Sequence, residues 1–339
     1  MNKRIRKVIS AAKGRACLFT AKSDIFYLTG IELEGFWLLV TAKGAAAFAS
    51  KMLSGQLKRL TRGIEIVSGD DITALLAGYC RNKGIKELGL CGAKSSYALF
   101  VKINCKIKAK DIGDILAPLR QVKDAGEIKA VKKACAIAAG AARYAIRIAR
   151  PGMTEEEIVF KIEEYFAKKM VRPSFPIIVA SGPNSANPHH ISSKRKIVAN
   201  DIILMDLGCV CKGYCSDLTR TFFLGKTNNL QQKVYALVKR AYGRAMGALK
   251  HGVPASSIDR AAREVISKAG FADKFIHTTG HGVGIDIHEP PRLSAKDNTV
   301  LKNGMIVTVE PGVYIEGRFG VRIEDTVLIN KKGIKVLTQ

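Results

Sequence analysis

The stretch HTTGHGVGIDIHEPP, residues 277–291, is the part of the chain around which the fold is predicted. It holds three of the chain's six histidines, His277, His281 and His288. Its glycines at positions 280, 282 and 284 allow the backbone to approach a neighbouring segment closely. Carboxylates occur in the segments MDLG, VEPG and VRIED that precede and follow it. One imidazole and several carboxylates from separate segments are the ligands that a two-metal hydrolytic site requires.

The bulk composition indicates a globular intracellular protein. The chain has 339 residues, enough for two domains, and its hydrophobic content of 47% is ordinary. No apolar run approaches the length of about 18 residues that a membrane span needs. The basic N-terminus lacks the apolar core of a signal peptide, so we predict that the eight cysteines are reduced thiols in the cytoplasm.

The net charge is unusually positive. The chain has 55 basic and 29 acidic side chains, for a formal charge of +26. Such a charge can indicate a nucleic-acid or anionic-surface partner, but here the basic residues are dispersed and do not form a tail or arm. We therefore interpret the charge as a solvated surface and expect no nucleic-acid partner.

Residues 1–118 are predicted to form a small α/β domain, because short apolar runs alternate with helical patterns. A domain boundary is predicted near residues 118–123, so that residues 119–339 form the second domain. The predicted strands of the first domain are 16–20, 36–41, 45–49, 64–68 and 87–90, and its predicted helices are 3–12, 51–60, 72–83 and 96–101.

The second domain is predicted to be α+β with an antiparallel sheet, since its strands and helices come in mixed runs. A helix over 125–150 ends at Pro151-Gly152, and a second helix begins at Thr154 with three glutamates in its first turn. The other predicted helices are 230–250 and 255–269, and the predicted strands are 175–180, 201–208, 214–224, 305–309 and 322–329.

Two aspartates bracket a predicted hairpin. If the turn centres on Cys211-Lys212, Asp206 and Asp217 lie directly opposite one another, with Cβ atoms about 4.5–5.5 Å apart. Both carboxylates could then hold one cation. Asp206 follows the apolar run 202–205, which is expected to be buried on both faces, so this carboxylate needs a partner.

Glu310 and Glu324 are also carboxylates at or inside apolar strands. Together with the aspartate pair and a histidine, they make a chance arrangement of buried acids implausible. Carboxylate oxygens with a single imidazole suit Mn, Co or Zn better than copper or an iron–sulfur cluster.

Cys209, Cys211 and Cys215 lie between the two aspartates. Their spacing, C-x-C-x3-C, matches no strong zinc template, and we expect them to pack as small apolar side chains.

The segments DLG-(x8)-DLTRT, HTTGHGVGIDIHE, VEPG and GVRIED together resemble the pita-bread metallopeptidases. This family includes Xaa-Pro aminopeptidases, Xaa-Pro dipeptidases (prolidases) and methionine aminopeptidases. The loop SGPNSANPHH resembles the Xaa-Pro branch, although His190 stands where a glycine or another small residue is common. Residues 1–115 resemble the N-terminal domain of Xaa-Pro peptidases, which simple bacterial methionine aminopeptidases usually lack.

The resemblance implies five ligands for two divalent ions. Asp206 would hold one ion, His281 and Glu310 the other, and Asp217 and Glu324 would bridge them. The other implied site residues are His189, His277 and His288 as active-site histidines that are not ligands, and Arg322, which would orient Asp206 from outside the ligand set.

The implied reaction is hydrolysis of the bond between an N-terminal residue and proline by a hydroxide that bridges the two metals. Mn or Co is the expected metal, with Zn as an alternative, and relatives are often homodimers. Arg292 could bind the C-terminal carboxylate of a dipeptide or could be an ordinary surface arginine. The alternative functions are a methionine aminopeptidase-like enzyme and a non-catalytic basic binding protein on the same scaffold.

Overall fold

A computed structural model of the protein describes residues 2–339, which divide into two compact units between Arg120 and Gln121. The helices of the first unit are α1 (Lys3–Ala11), α2 (Lys22–Thr29), α3 (Lys51–Leu60), α4 (Ile72–Asn82), α5 (Tyr97–Asn104) and α6 (Ala117–Gln121). Its strands are β1 (Cys17–Phe19), β2 (Phe36–Thr41), β3 (Gly44–Ala49), β4 (Glu65–Ser68), β5 (Glu87–Leu90) and β6 (Lys108–Asp111).

These strands form a single mixed sheet in the order β4-β3-β2-β1-β5-β6. The β1–β2 and β2–β3 pairs are antiparallel, and the β3–β4, β1–β5 and β5–β6 pairs are parallel. The core of the unit includes Phe48, Leu76 and Ile103, which are fully buried. The mixed sheet with helices confirms the predicted α/β class.

The second unit contains the remaining elements. Its helices are α7 (Ala125–Ile148), α8 (Glu155–Lys168), α9 (Asn229–Ala248) and α10 (Ala255–Lys268). Its strands are β7 (Arg172–Pro173), β8 (Ile178–Ser181), β9 (Ile202–Leu207), β10 (Cys209–Cys211), β11 (Tyr214–Cys215), β12 (Leu218–Phe223), β13 (Gly280–Gly282), β14 (Glu289–Leu293), β15 (Ile306–Val309), β16 (Gly312–Ile315), β17 (Phe319–Arg322), β18 (Asp325–Asn330) and β19 (Gly333–Val336).

Two helix pairs bury the apolar faces of these strands. The pair α7 and α8 shares a core with β8, β9 and β12. The pair α9 and α10 shares a second core with β15, β17 and β18. Every strand pair of this unit is antiparallel, which confirms the predicted α+β class.

Capping explains where three of these helices begin. The side chains of Asp124, Thr154 and Asn228 each accept a hydrogen bond from the backbone N–H three residues later. In each case the side chain three residues later accepts a hydrogen bond from the backbone N–H of the cap residue, which completes a capping box. The predicted helix start at Thr154 is therefore confirmed.

The predicted hairpin register is wrong by two residues. Asp206 pairs with Thr219, and Cys211 pairs with Tyr214, so the turn centres on Lys212-Gly213. Both turn residues have positive φ, 52° and 76°, as a two-residue type I′ hairpin loop requires. Asp217 is therefore not directly opposite Asp206. The two remain neighbours, since the charge of Asp206 helps to raise the pKa of Asp217.

The predicted close approach at the glycines of residues 277–291 is confirmed. A Cβ added at Gly280 would meet the carbonyl oxygen of Thr308, and one at Gly282 would lie 2.5 Å from the carbonyl oxygen of Pro290. At Gly284 a Cβ would lie 2.5 Å from the carboxylate of Glu289.

Three elements of the first unit were not predicted, namely helices α2 and α6 and strand β6. Helix α2 carries a continuous run of apolar residues and no side-chain cap at Ala21, so neither period nor cap indicates a helix. Strand β6 has the sequence KAKD and lies at the sheet edge, where no apolar pattern is needed. Across residues 2–339, no helix is both long enough and apolar enough to cross a membrane.

Candidate active site

Five candidate ligands lie on different strands and turns of the second unit. Asp206 is in β9, Asp217 immediately precedes β12, and His281 is in β13. Glu310 directly follows β15, and Glu324 lies between β17 and β18. All five line the same cavity.

His281 presents a lone pair to two of the carboxylates. Its Nδ1 lies 3.1 Å from the carbonyl oxygen of Gly282, which can only accept a hydrogen bond, so Nδ1 carries the proton. Burial lowers the pKa of His281, which favours the neutral ring. The Nε2 lone pair then lies 3.3 Å from Glu310 Oε1 and 3.6 Å from Asp217 Oδ2. Acceptors that face one another at this distance repel unless a proton or a metal cation lies between them.

Two buried carboxylate oxygens have no hydrogen-bond partner within residues 2–339, namely Asp206 Oδ1 and Glu324 Oε1. The other oxygen of each is satisfied: Arg322 Nη2 donates to Asp206 Oδ2 at 2.6 Å, and Thr219 Oγ1 donates to Glu324 Oε2 at 2.7 Å. An unsatisfied buried carboxylate oxygen is costly, and a bound divalent ion would remove that cost.

The electrostatics agree with this interpretation. Burial raises the pKa of Asp217 and of Glu324 well above the usual range, and repulsion from neighbouring carboxylates raises both further. Burial also raises the pKa of Glu310. A cluster of acids that resists ionisation in the metal-free protein is stabilised in its ionised form by cations, so the donor set fits divalent metals.

The ligand atoms are spread over more space than one ion occupies. Those of Asp217, His281 and Glu324 lie within 4.8 Å of one another. Asp206 is not part of this close group, although its unpartnered oxygen also lies in the site. This spread suits two neighbouring ions.

A hydrogen-bonded chain connects Arg322 to His277. Arg322 donates from Nε to Thr219 Oγ1 at 2.9 Å and from Nη1 to the Tyr314 hydroxyl at 2.7 Å. Burial raises the pKa of Tyr314 to about 12, so the hydroxyl keeps its proton and donates to His277 Nε2 at 2.9 Å. The sequence did not point to Tyr314, because a tyrosine in the strand GVYI is typical of any core.

The cavity has a volume of about 860 Å³. One wall is apolar and includes Phe175, Pro176 and Ile178. His189 and His288 line the cavity with exposed side chains, and the His288 ring lies edge-on to His281 with centroids 4.3 Å apart. His277 also lines the cavity, but both of its ring nitrogens are engaged, Nδ1 by the carbonyl oxygen of Thr278 and Nε2 by Tyr314.

Arg292 also faces the cavity. It pairs with His281 across the β13–β14 ladder. Its guanidinium has no hydrogen-bond or ion-pair partner among residues 2–339, whereas its backbone N–H donates to Asp297 at 2.8 Å.

A buried ion pair that the sequence did not indicate supports the loop that carries His288. Lys123 Nζ lies 3.2 Å from Glu289 Oε2, and both side chains are almost fully buried. Glu289 Oε1 accepts hydrogen bonds from the backbone N–H groups of Ile285 and Asp286, so the loop is held by one carboxylate. Nothing in the local sequence around Lys123 reveals a partner 166 residues away.

The three cysteines between the aspartates are buried thiols. Cys209 and Cys211 pack in the core beneath α7 and α8, as expected. The Cys215 thiol donates to the carbonyl oxygen of Ile285. Burial raises the pKa of Cys209 and of Cys215 to about 12, so both thiols keep their protons in the metal-free protein.

Comparison with known proteins gives consistent results over the whole chain. Residues 129–331 match metallopeptidase family M24, and residues 2–122 match the creatinase/prolidase N-terminal domain. The Xaa-Pro dipeptidase of Pyrococcus furiosus is 36% identical over 100% of this chain and 98% of its own length. That of Pyrococcus horikoshii is 34% identical over 100% of this chain and 97% of its own.

Solved structures show the same similarity. The Xaa-Pro dipeptidase from Bacillus anthracis superposes with a TM-score of 0.96 at 33% identity, covering 99% of this chain and 97% of the other. An X-Pro aminopeptidase from Thermotoga maritima gives a TM-score of 0.90 at 31% identity, covering 99% and 98%. The converging carboxylates, the open cavity and these similarities lead to one conclusion: the chain belongs to metallopeptidase family M24, with an N-terminal domain of the creatinase/prolidase type.

Proposed function

We propose that the protein is a metal-dependent exopeptidase that hydrolyses the bond between an N-terminal residue and proline. The observation that carries this proposal is the pair of unpartnered buried oxygens, Asp206 Oδ1 and Glu324 Oε1, beside the His281 lone pair. Similarity over the full chain to Xaa-Pro dipeptidases supports the substrate class.

In this proposal Asp206 would hold one ion, His281 and Glu310 would hold the other, and Asp217 and Glu324 would contribute to both. The closeness of Asp217, His281 and Glu324 supports this division. Arg322 acts as a positioning residue, because its bond to Asp206 Oδ2 directs Oδ1 into the cluster. Tyr314 and Thr219 hold Arg322 in turn.

When bound, the paired ions supply Lewis acidity, which polarises the scissile carbonyl and makes a water more acidic. His288, exposed to the cavity beside His281, is placed to take up and release the proton that must pass to the leaving nitrogen. His277 forms part of the cavity wall and keeps its place through Tyr314. His189 contributes a further imidazole to the substrate-binding surface.

The imide nitrogen of an Xaa-Pro bond has no hydrogen to donate, so proline must be recognised by shape. The apolar wall formed by Phe175, Pro176 and Ile178 provides such a surface. The open guanidinium of Arg292 suits the C-terminal carboxylate of a dipeptide, with which it can form bidentate hydrogen bonds. We therefore favour dipeptidase over aminopeptidase activity.

The metal, the oligomer and the compartment belong to the same proposal. The oxygen-rich donor set supports Mn or Co, with Zn as the alternative. A homodimer is inferred from the family resemblance alone. Eight cysteines without a disulfide support a reducing, cytoplasmic location.

The test is a substrate panel with added Mn²⁺, Co²⁺ or Zn²⁺. We expect hydrolysis of Xaa-Pro dipeptides, slower hydrolysis of Xaa-Pro-Yaa tripeptides, and none of Met-Ala peptides. The variant Asp217→Asn should keep the circular dichroism spectrum of the wild type and lose hydrolysis. Activity on Met-Ala alone, or full activity of the folded Asp217→Asn variant, would contradict the proposal.

A further inference from the structure

A buried carboxylate behind the cavity wall is saturated with hydrogen bonds. Glu155, the first residue of α8, is fully buried. Burial opposes its ionisation, but hydrogen bonds from His190, Ser181 and Asn184 outweigh burial and lower the pKa of Glu155. Its six donors are Ser181 N, Ser181 Oγ and Asn184 Nδ2 on Oε1, and His190 Nε2, Ser193 N and Ser193 Oγ on Oε2.

One of these donors is a cavity residue. His190 Nε2 lies 2.8 Å from Glu155 Oε2, and its side chain is 14% exposed. Because an ionised carboxylate can only accept, Nε2 carries a proton. The ring lines the cavity, and its Nδ1 has no hydrogen-bond partner among residues 2–339. The carboxylate thus fixes the ring and leaves one nitrogen for a ligand.

The acids Asp201 and Asp297 already have hydrogen-bond donors of their own. Arg195 Nη1 donates to Ser181 Oγ at 2.6 Å and to Asp201 Oδ2 at 2.7 Å, so this cation is already paired. Asp297, the acid at the cavity that lies near Arg292, accepts from the backbone N–H groups of Arg292 and Thr299. Neither Asp201 nor Asp297 therefore forms a hydrogen bond with His190.

We propose that His190 is a specificity-determining residue whose Nδ1–H binds the C-terminal carboxylate of the substrate. In its protonated form the ring donates from both nitrogens, from Nε2 to Glu155 and from Nδ1 to the ligand. Arg292 and His190 come from separate segments, line one cavity, and lack a protein acceptor for these groups. In this proposal the substrate carboxylate would accept hydrogen bonds from both groups. This inference rests on the proposed exopeptidase function and makes the chain selective for a free carboxylate after proline.

His190 supplies one of the six hydrogen bonds that the Glu155 carboxylate accepts. A glycine there would leave Glu155 with its remaining donors but would remove the nitrogen that faces the cavity. The variant His190→Gly removes the Nδ1 contact together with the Nε2 bond to Glu155, so the comparison of acid and amide substrates distinguishes the two losses.

The experiment compares Ala-Pro with Ala-Pro amide on the metal-loaded wild type and on His190→Gly. Loss of a hydrogen bond to a charged group predicts that KM for Ala-Pro rises about tenfold in the variant. We expect kcat to change less than about twofold, and neither constant to change for the amide. The control is His251→Gly, at an exposed histidine outside the cavity.

Equal losses for acid and amide, a fall confined to kcat, or no change would each overturn the proposal. A second measurement does not depend on catalysis or on the variant. In the wild type, added L-proline should shift the His190 ring resonances in histidine-selective ¹⁵N spectra, and added prolinamide should not. Equal shifts with both probes would refute the carboxylate contact. A wild type that binds proline in this way but cleaves no Xaa-Pro bond would instead refute the proposed function.

Discussion

The Tyr314 hydroxyl group connects two side chains of the site, Arg322 and His277. It accepts from Arg322 Nη1 at 2.7 Å and donates to His277 Nε2 at 2.9 Å. Tyr314→Phe removes this oxygen and keeps the ring. The guanidinium would retain Thr219 and Asp206 as partners, whereas His277 Nε2 would lose its donor.

The expected cost follows from these two bonds. A hydrogen bond to a charged guanidinium contributes about 1.5–3 kcal/mol, and one to a neutral imidazole contributes about 1 kcal/mol. The imidazole is taken as neutral because burial lowers the pKa of His277. We expect the free energy of unfolding to fall by about 2.5–4 kcal/mol, the sum of these two contributions. Because Arg322 then has two hydrogen-bond partners instead of three and holds Asp206 less firmly, kcat/KM for Ala-Pro should fall about tenfold, equivalent to about 1.4 kcal/mol.

The assay is urea denaturation of the metal-free protein together with steady-state kinetics of the metal-loaded protein. The matched control is Tyr242→Phe, which removes a hydroxyl that donates to Asp325 Oδ2 at 2.6 Å outside the cavity. Both variants should lose stability, but only Tyr314→Phe should lose activity.

Unchanged kcat/KM in Tyr314→Phe would refute the idea that the hydroxyl positions the site through Arg322. A loss of unfolding free energy below about 0.5 kcal/mol would refute the assumption that both hydrogen bonds of the hydroxyl stabilise the fold. Equal activity losses in both variants would mean that general destabilisation is responsible.

Two further predictions concern metal binding and the buried lysine. Burial, followed by carboxylate repulsion, raises the pKa of Asp217 and of Glu324, so the contribution of these two groups to the stability of the metal-free protein is largest at low pH and is lost as pH rises through their raised pKa values. Saturating Mn²⁺, at about a hundred times its Kd, should stabilise the protein by about 2.7 kcal/mol. The rise in Tm on adding Mn²⁺ should be larger near pH 8 than near pH 6. A rise in Tm that does not depend on pH would contradict the assignment of Asp217 and Glu324 as metal ligands. Lys123→Met should lower the free energy of unfolding by about 3–5 kcal/mol, because the Glu289 carboxylate loses a buried cation. The exposed control Lys161→Met should lower it by less than about 1 kcal/mol, and similar urea midpoints for both variants would contradict the role of Lys123.

The sequence by itself determined the elements whose signals are local. Capping residues such as Asp124 and Thr154 lie next to the helices they start, and their hydrogen bonds reach only three residues. Two other features could be predicted for the same reason, namely the buried run 202–205 before Asp206 and the close packing at the glycines of residues 277–291. Burial on both faces and close backbone approach restrict the residue types at those positions. These local signals indicated the α+β class and the four candidate carboxylates, whereas the choice of His281 among the histidines came from the family resemblance.

Tertiary structure decided the register of the hairpin and the partners of the ligands. Lys212 and Gly213 adopt left-handed conformations, so the turn lies one residue later than predicted and the strand pairing differs from the predicted register by two residues. The sequence alone did not specify this register. The bonds from Arg322 to Asp206 and from Thr219 to Glu324 join residues 116 and 105 positions apart. A pattern read along the chain has a range of a few residues, whereas a buried polar group takes whichever partner the packed strands bring within about 3 Å. The roles of Tyr314, Lys123 and the Glu155–His190 pair therefore depend on packing between segments that are remote in sequence.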